Sequence, residues 1–389
     1  MRHRRSLIAL SMALMLGLSL ALSACGGGSG SSSSTTAGST TASETKNSAK
    51  SVSSQALSEA EAVLKPYIGH PSPFPVTQKL KEIPRGSKVI YVNCGAAYCS
   101  LIYQLLQPAA KMLGLELSQI KAGSAANTVS AAFDSVVAQK PDAIVVLSEN
   151  LELWSRQLKE LQEAGTVIVT SGITGAEDVG IEAPQTTEKN NALVSKLLAS
   201  YVMTEMNPEA NVVVYRPPEL PFAVEITQIF SEELERICPA CSVRTTDIPV
   251  AEDGSTAPNT IVSDLQANPE TTVAVFPSGE TEFGLPAALE TAGIEIETLG
   301  FGPGPTNLQY IKEGKETVAL GVDTPVLAWT LADLVARQLV GQKAVGLEAE
   351  GISVYQFLKK EDLPPDVSQG WTGYPDFAER FAKLWGVEG

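Results

Sequence analysis

The feature that most constrains this chain is an alternation beginning at Lys88, where short runs of β-branched and aliphatic residues take turns with amphipathic helical stretches. The strand-like runs are KVIYVN, LELSQI, DAIVVLS, TVIVTSG, NVVVYR, SVRTTDIPV, TTVAVFPS, IEIETLGF and ETVALGV. Between them, stretches such as TVSAAFDSVVAQK, LWSRQLKELQEAG, NALVSKLLASYVMTEM and AVEITQIFSEELERI carry apolar residues at helical spacing. Strands apolar on both faces, alternating with helices, belong in parallel sheets covered by helices on both sides, so the expected fold class is α/β. A faint internal echo sets DSVVAQKPDAIVVLSE against SDLQANPETTVAVFPSGE: a helix end, a proline, a buried strand, then a serine with a nearby glutamate. It fits two similar lobes better than one long sheet.

Upstream, Arg2, Arg4 and Arg5 precede an apolar run from about Leu7 to Leu22. A charged head before an apolar stretch of roughly 16 residues reads as a secretory signal, too short for the ~20 residues that cross a bilayer. Ordinary signal cleavage wants small residues at −1 and −3, and a cut after Ala24 would leave Leu22 at −3. Leu22, Ser23, Ala24 and Cys25 resemble instead the lipobox of bacterial lipoproteins. That resemblance implies an acylated Cys25 at the mature N-terminus, anchoring the protein to the outer face of the cell membrane without spanning it. The Gly/Ser/Thr tract that follows has too little apolar surface to order itself and reads as a flexible tether. Residues 1–24 are thus the expected signal peptide, 25–54 the anchor and tether, and 55–87 a short helix, with Ser58 and Glu61 at capping-box spacing, and a Pro-rich lead-in.

Charge and histidine supply exclude whole classes of function. Without the leader's arginines, 25 basic residues face 44 acidic ones, a formal charge of −19, and such a surface repels nucleic acid. The two histidines, His3 and His70, lie in the leader and the lead-in, which leaves no supply for histidine catalysis or a His-rich metal site. No catalytic residue, cofactor or metal is expected. The remaining length, about 330 residues, suffices for two lobes with their own cores.

From about Lys88 to Gln342 the chain resembles the type I periplasmic solute-binding proteins, the ribose-binding-like branch that serves ABC importers. The segments that carry the resemblance are VIYVNCGAAYCSLIYQLLQPAAKMLG, AAFDSVVAQKPDAIVVLS, VAVFPSGETEFGLPAALETAGI, TLGFGP and VALGVDTPVLAWTLADLVARQLVGQ, and WTGYPDFAERFAKLWG resembles the tails of lipoprotein members. The resemblance implies two Rossmann-like lobes with parallel sheets, residues 88–185 plus 324–345 and 186–323 plus 346–389, the latter including the tail. It also implies a three-crossing hinge near Ala183–Thr187, Val322–Pro325 and Lys343–Gly351. A monomer of this kind closes on a small organic solute, sugar-like by family default, and delivers it to the permease of an ABC importer. A binding protein that reports its ligand to a membrane sensor has the same fold and anchor, and is the alternative reading.

In parallel α/β sheets, ligands lie beyond the carboxyl ends of the strands. The candidates there are Asn93, Tyr98, Ser148, Glu149, Ser171, Glu219, Phe222, Ser278, Phe301 and Asp323. Tyr98 is either a core aromatic or the ring the family packs against ligand. Ser148 and Glu149 are either helix caps or hydrogen-bonding partners of the solute. Asp323, two residues before Pro325, matches a position that hydrogen-bonds sugar in the family. Two departures weaken a sugar: Ser171 and Gly172 stand where sugar binders carry Asp and Arg, and GFGPGP replaces a turn that carries aspartate. A less hydroxylated or aromatic compound, packed on Tyr98, Phe222 and Phe301, then becomes an option. Among these loops Arg216 alone could pair an anionic solute, whereas Glu149, Glu219, Glu280 and Asp323 favour a donor-rich or cationic one.

Two motifs suggest enzymes on first sight. GFGPGP follows a strand, but Pro303 and Pro305 have no N–H to offer a phosphate. Cys238 and Cys241 have thiol-oxidoreductase spacing, yet they follow a helix, at the wrong end of its dipole for lowering a thiol pKa. With Cys25 acylated, four cysteines remain, and the local pairs Cys94 with Cys99 and Cys238 with Cys241 are the simplest disulfides among three possible connectivities.

Overall fold

The computed structural model describes residues 52–387, apart from Ser124, Pro184 and Thr186. The leader, Cys25 and the tether lie outside the described residues, and among those described no helix is long and apolar enough to cross a membrane.

Two sheets are built from the strands that the apolar runs announce. The first contains β1 (Lys88–Asn93), β2 (Glu116–Lys121), β3 (Ala143–Leu147) and β4 (Val167–Ser171), all parallel, in the order β2-β1-β3-β4. The second contains β5 (Asn211–Arg216), β6 (Ser242–Asp247), β7 (Val273–Phe276), β8 (Glu297–Phe301), β9 (Val318–Val322) and β10 (Tyr355–Leu358) in the order β10-β9-β8-β7-β5-β6. The stretch β6-β5-β7-β8 repeats the connectivity of the first sheet, so the sequence echo around β3 and β7 marks equivalent positions in two lobes. β10 runs antiparallel to β9, with Tyr355 opposite Val322. It lies beyond the nine apolar runs.

Helices cover both faces, as parallel strands buried on both sides require. α2 (Ala97–Leu113), α3 (Ala126–Gln139) and α4 (Ser155–Glu163) follow the strands of the first lobe. Its outer core packs Phe133 flat on Trp154, with ring centroids 4.2 Å apart. α5 (Glu188–Tyr201), α6 (Pro221–Ile237), α7 (Ala257–Ala267), α8 (Leu285–Ala292) and α9 (Pro305–Glu313) serve the second. α10 (Thr324–Leu339) leaves β9 of the second lobe and packs on α2, β3 and β4 of the first.

The three segments expected to cross between lobes lie side by side. Thr187 Oγ1 donates to the Glu350 carbonyl at 3.2 Å, and the Asp323 amide donates to the Val354 carbonyl at 3.0 Å. Gly351 has φ +65°, and a Cβ there would overlap the Thr187 side chain and sit 2.5 Å from the Ala183 carbonyl oxygen. The close approach of two crossings therefore needs glycine at this position.

Three expectations are corrected. The first helix, α1 (Ser54–Leu64), starts before Ser58: its N-cap is Ser53, whose hydroxyl accepts from the Ala56 amide at 3.1 Å. The lead-in does more than extend, because α1 packs on α5 and α6 of the second lobe while Gln78 and Lys81 reach α10 and the segment after it. Val367 and Trp371 of the tail pack with Leu308 of α9 in the second lobe, but the end of the tail does not stay there. Its helix α11 (Phe377–Trp385) packs on α10 and α2, and the Trp385 ring lies parallel to that of Trp329 at 5.4 Å. A buried charge fixes this arrangement. Arg337 pairs with Asp333 at 2.5 Å and donates to the Gln78 carbonyl, while the Trp385 indole N–H donates to Asp333. Removing Arg337 would leave the Asp333 carboxylate buried without its counter-charge, which is far costlier than losing a surface pair.

Candidate functional site

Ligands of parallel α/β sheets lie beyond the carboxyl ends of the strands, where the turns that follow the strands of both sheets carry the candidate residues. After β1, the Asn93 side chain is consumed in the turn itself: its Oδ1 accepts from the Gly95 amide at 2.9 Å and its Nδ2 donates to Gln119. The Cys94–Cys99 disulfide then ties this turn to the first turn of α2, which carries Tyr98. Tyr98 is half-buried; its hydroxyl hydrogen-bonds the Thr324 side chain, and burial pushes the phenol well above its ordinary value. After β3, Ser148 takes the left-handed conformation (φ +55°) and its amide donates to the Ser171 carbonyl at 2.9 Å. Gly172, also left-handed, lets Ser148 in, since a Cβ there would collide with the Ser148 hydroxyl. Ser171 in turn donates to Gln185. Glu149 is 4% exposed with Oε1 unpaired, and burial pushes its carboxyl up to about 7.

From the second lobe come Phe222, half-buried at the start of α6, Ser278 after β7, and Phe301 at the end of β8. Phe301 lies 6.1 Å from Tyr355, whose hydroxyl donates to Asn190 Oδ1 at 2.8 Å. Glu219 is exposed and accepts from the Val250 amide. Burial raises the pKa of Glu280, an effect that the nearby Tyr98 backbone amide of the first lobe only partly offsets. Asp253 stands near Glu280 and Glu219, and burial followed by those charges pushes it up to about 7.

Asp323 is given a different task from the one the sequence suggests. It is fully buried, Oδ1 caps α10 by accepting from the Val326 amide, and Oδ2 accepts from the Thr372 hydroxyl and the Gly373 amide. Oδ1 is thus engaged by the helix end and Oδ2 by the tail. Arg216 likewise is held by Asp247 at 2.7 Å. Residues the sequence reading passed over, Asn190, Tyr355 and Thr324, form the hinge side of the cleft. Their signal was weak, because Tyr355 sits on the short antiparallel strand and Asn190 on the first turn of a helix.

Both local disulfides are present. Cys238 ends α6, and Cys241 precedes β6, so this pair closes a helix end remote from the strand-end cleft. Among the described residues no group of three or more His, Cys, Asp or Glu is placed to hold a metal ion. A separate open cavity of about 420 Å³ lies at the opposite end of the second sheet, where Glu297 begins β8 and Thr317 precedes β9, with Tyr201 and Lys359 on its wall. It touches one lobe only, so occupancy there could not distinguish an open from a closed hinge.

Two lobes of repeated connectivity, joined side by side at a hinge, are matched by a family model. Residues 88–343 match that of the periplasmic binding protein domain. The chain belongs to this family. Solved structures agree on the fold. An ABC transporter solute-binding protein from Agrobacterium vitis with bound allitol is 19% identical, with 77% of this chain and 99% of that one covered, at a TM-score of 0.59. A 5-methylthioribose transporter solute-binding protein from Thermotoga lettingae is 13% identical, covering 79% and 95%, at 0.63. A sugar-binding protein of a Bacillus halodurans sugar ABC transporter is 17% identical, covering 70% and 97%, at 0.60. No curated protein sequence matches the chain. The family model and these structures agree on a two-lobed periplasmic binding protein fold, one shared with solute-binding proteins of ABC transporters. The lead-in and the tail helix, which hold α10 through Gln78 and Trp385, lie outside the matched residues.

Proposed function

We propose that this periplasmic binding protein captures a small organic solute in the strand-end cleft, closes its lobes around it, and presents the closed form to the permease of an ABC importer while moored to the membrane through Cys25. The observation that carries the reading is that Glu280 of the second lobe stands near the Tyr98 backbone amide of the first, so that groups from both lobes are within reach of one small molecule. A ligand can shift a hinge only through contacts it makes in one state and not the other, and only a site fed by both lobes provides them. The residues assigned to that space are Tyr98, Ser148, Glu149 and Ser171 from the first lobe, and Phe222, Ser278, Phe301 and Glu219 from the second, with Asn93 shaping the turn behind Tyr98. The solutes named for the structural neighbours, allitol and 5-methylthioribose, support a compact polar ligand.

The test is fractionation and ligand release from the full chain expressed in a bacterium. The protein is expected in the membrane fraction, Cys25→Ala is expected to release it, and denaturation is expected to free an intact small molecule. Cys25→Ala remaining in the membrane with a normally processed leader would refute the anchor. A bound molecule recovered chemically altered would refute a pure binder.

A further inference from the structure

The echo in the sequence places two glutamates at equivalent strand ends, Glu149 after β3 and Glu280 after β7, one in each lobe. Glu149 is 4% exposed and its Oε1 has no partner. Beside Glu280 stands Asp253, whose Oδ1 is also buried and unpaired, with Glu219 close by. Opposing charge is scarce at these strand ends. Arg216 is neutralised by Asp247, and Lys121, at the end of the edge strand β2, projects into solvent. The amino end of α2, which favours an anion, already has the carboxylate of Glu280 near its Tyr98 amide. Acceptors and negative charge thus come from both lobes, while the aromatic rings of Tyr98, Phe301 and Tyr355 stand at the hinge side.

We infer that the solute is cationic, a small polar compound bearing a protonated amine that is shared between Glu149 of the first lobe and the Glu280–Asp253 pair of the second. The inference rests on the proposed solute-binding role and narrows it. A neutral polyol brings hydroxyls that accept as well as donate but no charge, so closing on one would leave these carboxyl groups either ionised without a counter-charge or obliged to bind a proton, a cost that falls on the closed state. An ammonium brings three donors, no acceptor and the missing charge. It also stacks favourably on aromatic faces, which a hydroxyl does not. Asn190, fully buried with its Nδ2 unpaired, offers the complementary donor for a hydroxyl or carbonyl elsewhere on the same molecule.

Calorimetry on the dialysed full chain with matched probes tests this: D-glucosamine against D-glucose, and putrescine against 1,4-butanediol. A bacterial small-molecule extract is offered in parallel and the retained compounds are identified after denaturation. The amine of at least one pair is expected to bind tenfold or more tightly than its neutral partner, with Glu280→Gln and Glu149→Gln each reducing that preference at unchanged melting temperature; if no single probe binds, the compound retained from the extract is expected to carry an amine. Equal or tighter binding of the neutral partner, or retention of an amine-free compound, overturns the cationic assignment and leaves the solute-binding role standing. Retention of nothing from either source overturns both.

Discussion

The carboxylate of Glu280, in the second lobe, lies near the backbone amide of Tyr98, in the first turn of α2 in the first lobe. That helix has no cap of its own: its N-cap is Ala96, and its first turn contains no acidic residue. Glu280 therefore supplies, from across the cleft, a negative charge that the helix end lacks. Glu280→Ala is expected to weaken the closed form of the solute-free chain by about 1 kcal/mol. Small-angle X-ray scattering should show a larger radius of gyration, and an unchanged profile would mean that the contact does not bear on closure.

The Cys94–Cys99 disulfide spans the turn whose geometry is set by Asn93 and ends one residue past Tyr98. Replacing both cysteines by serine is expected to free that turn and cost about 2 kcal/mol of stability, as for a short closed loop. Solute affinity should fall as well, because the Tyr98 ring must then be ordered on binding. A double variant that binds like wild type in calorimetry would show that the turn is held without the disulfide.

Asp323→Ala is expected to act mainly on stability, by about 2 to 4 kcal/mol, since it removes the cap of α10 and leaves the Thr372 and Gly373 donors unmatched. Denaturant unfolding measures it. A variant as stable as wild type but unable to bind would return Asp323 to the ligand site.

The strands were legible because burial on both faces writes a continuous apolar run into the sequence, as in Ala143–Leu147, where every residue is buried. β10 was not, because Tyr355–Leu358 is short and contains Gln356, and its place is fixed by pairing with a strand more than thirty residues earlier. Asp323 misled for a related reason: its position fits the family pattern, but its partners Thr372 and Gly373 come from a tail that meets it only in three dimensions. Glu280 was readable through its echo with Glu149, whereas its contact with Tyr98 depends on how two lobes meet and leaves no local signal.

Burial pushes the carboxyl groups of Glu149, Asp253 and Asp323 up to about 7 and that of Glu316 up to about 8. A carboxyl group whose pKa is higher folded than unfolded binds its proton more tightly in the folded chain. Its contribution is therefore complete below the unfolded value near 4 and is lost as pH rises through 7 to 8. The melting temperature is expected to be higher at pH 5.5 than at pH 8. Scanning calorimetry that found it rising over this interval would mean these groups keep ordinary pKa values.

The central claim is that the solute sits at the strand ends between the lobes. Titration calorimetry of the full chain with the solute recovered from it compares Tyr98→Ala with the double change Cys238→Ser and Cys241→Ser. Tyr98→Ala is expected to weaken binding by about 1 to 3 kcal/mol, and the cysteine pair, at the far end of α6, to leave affinity as it is. Loss of binding in the cysteine variant together with wild-type affinity in Tyr98→Ala would contradict the account.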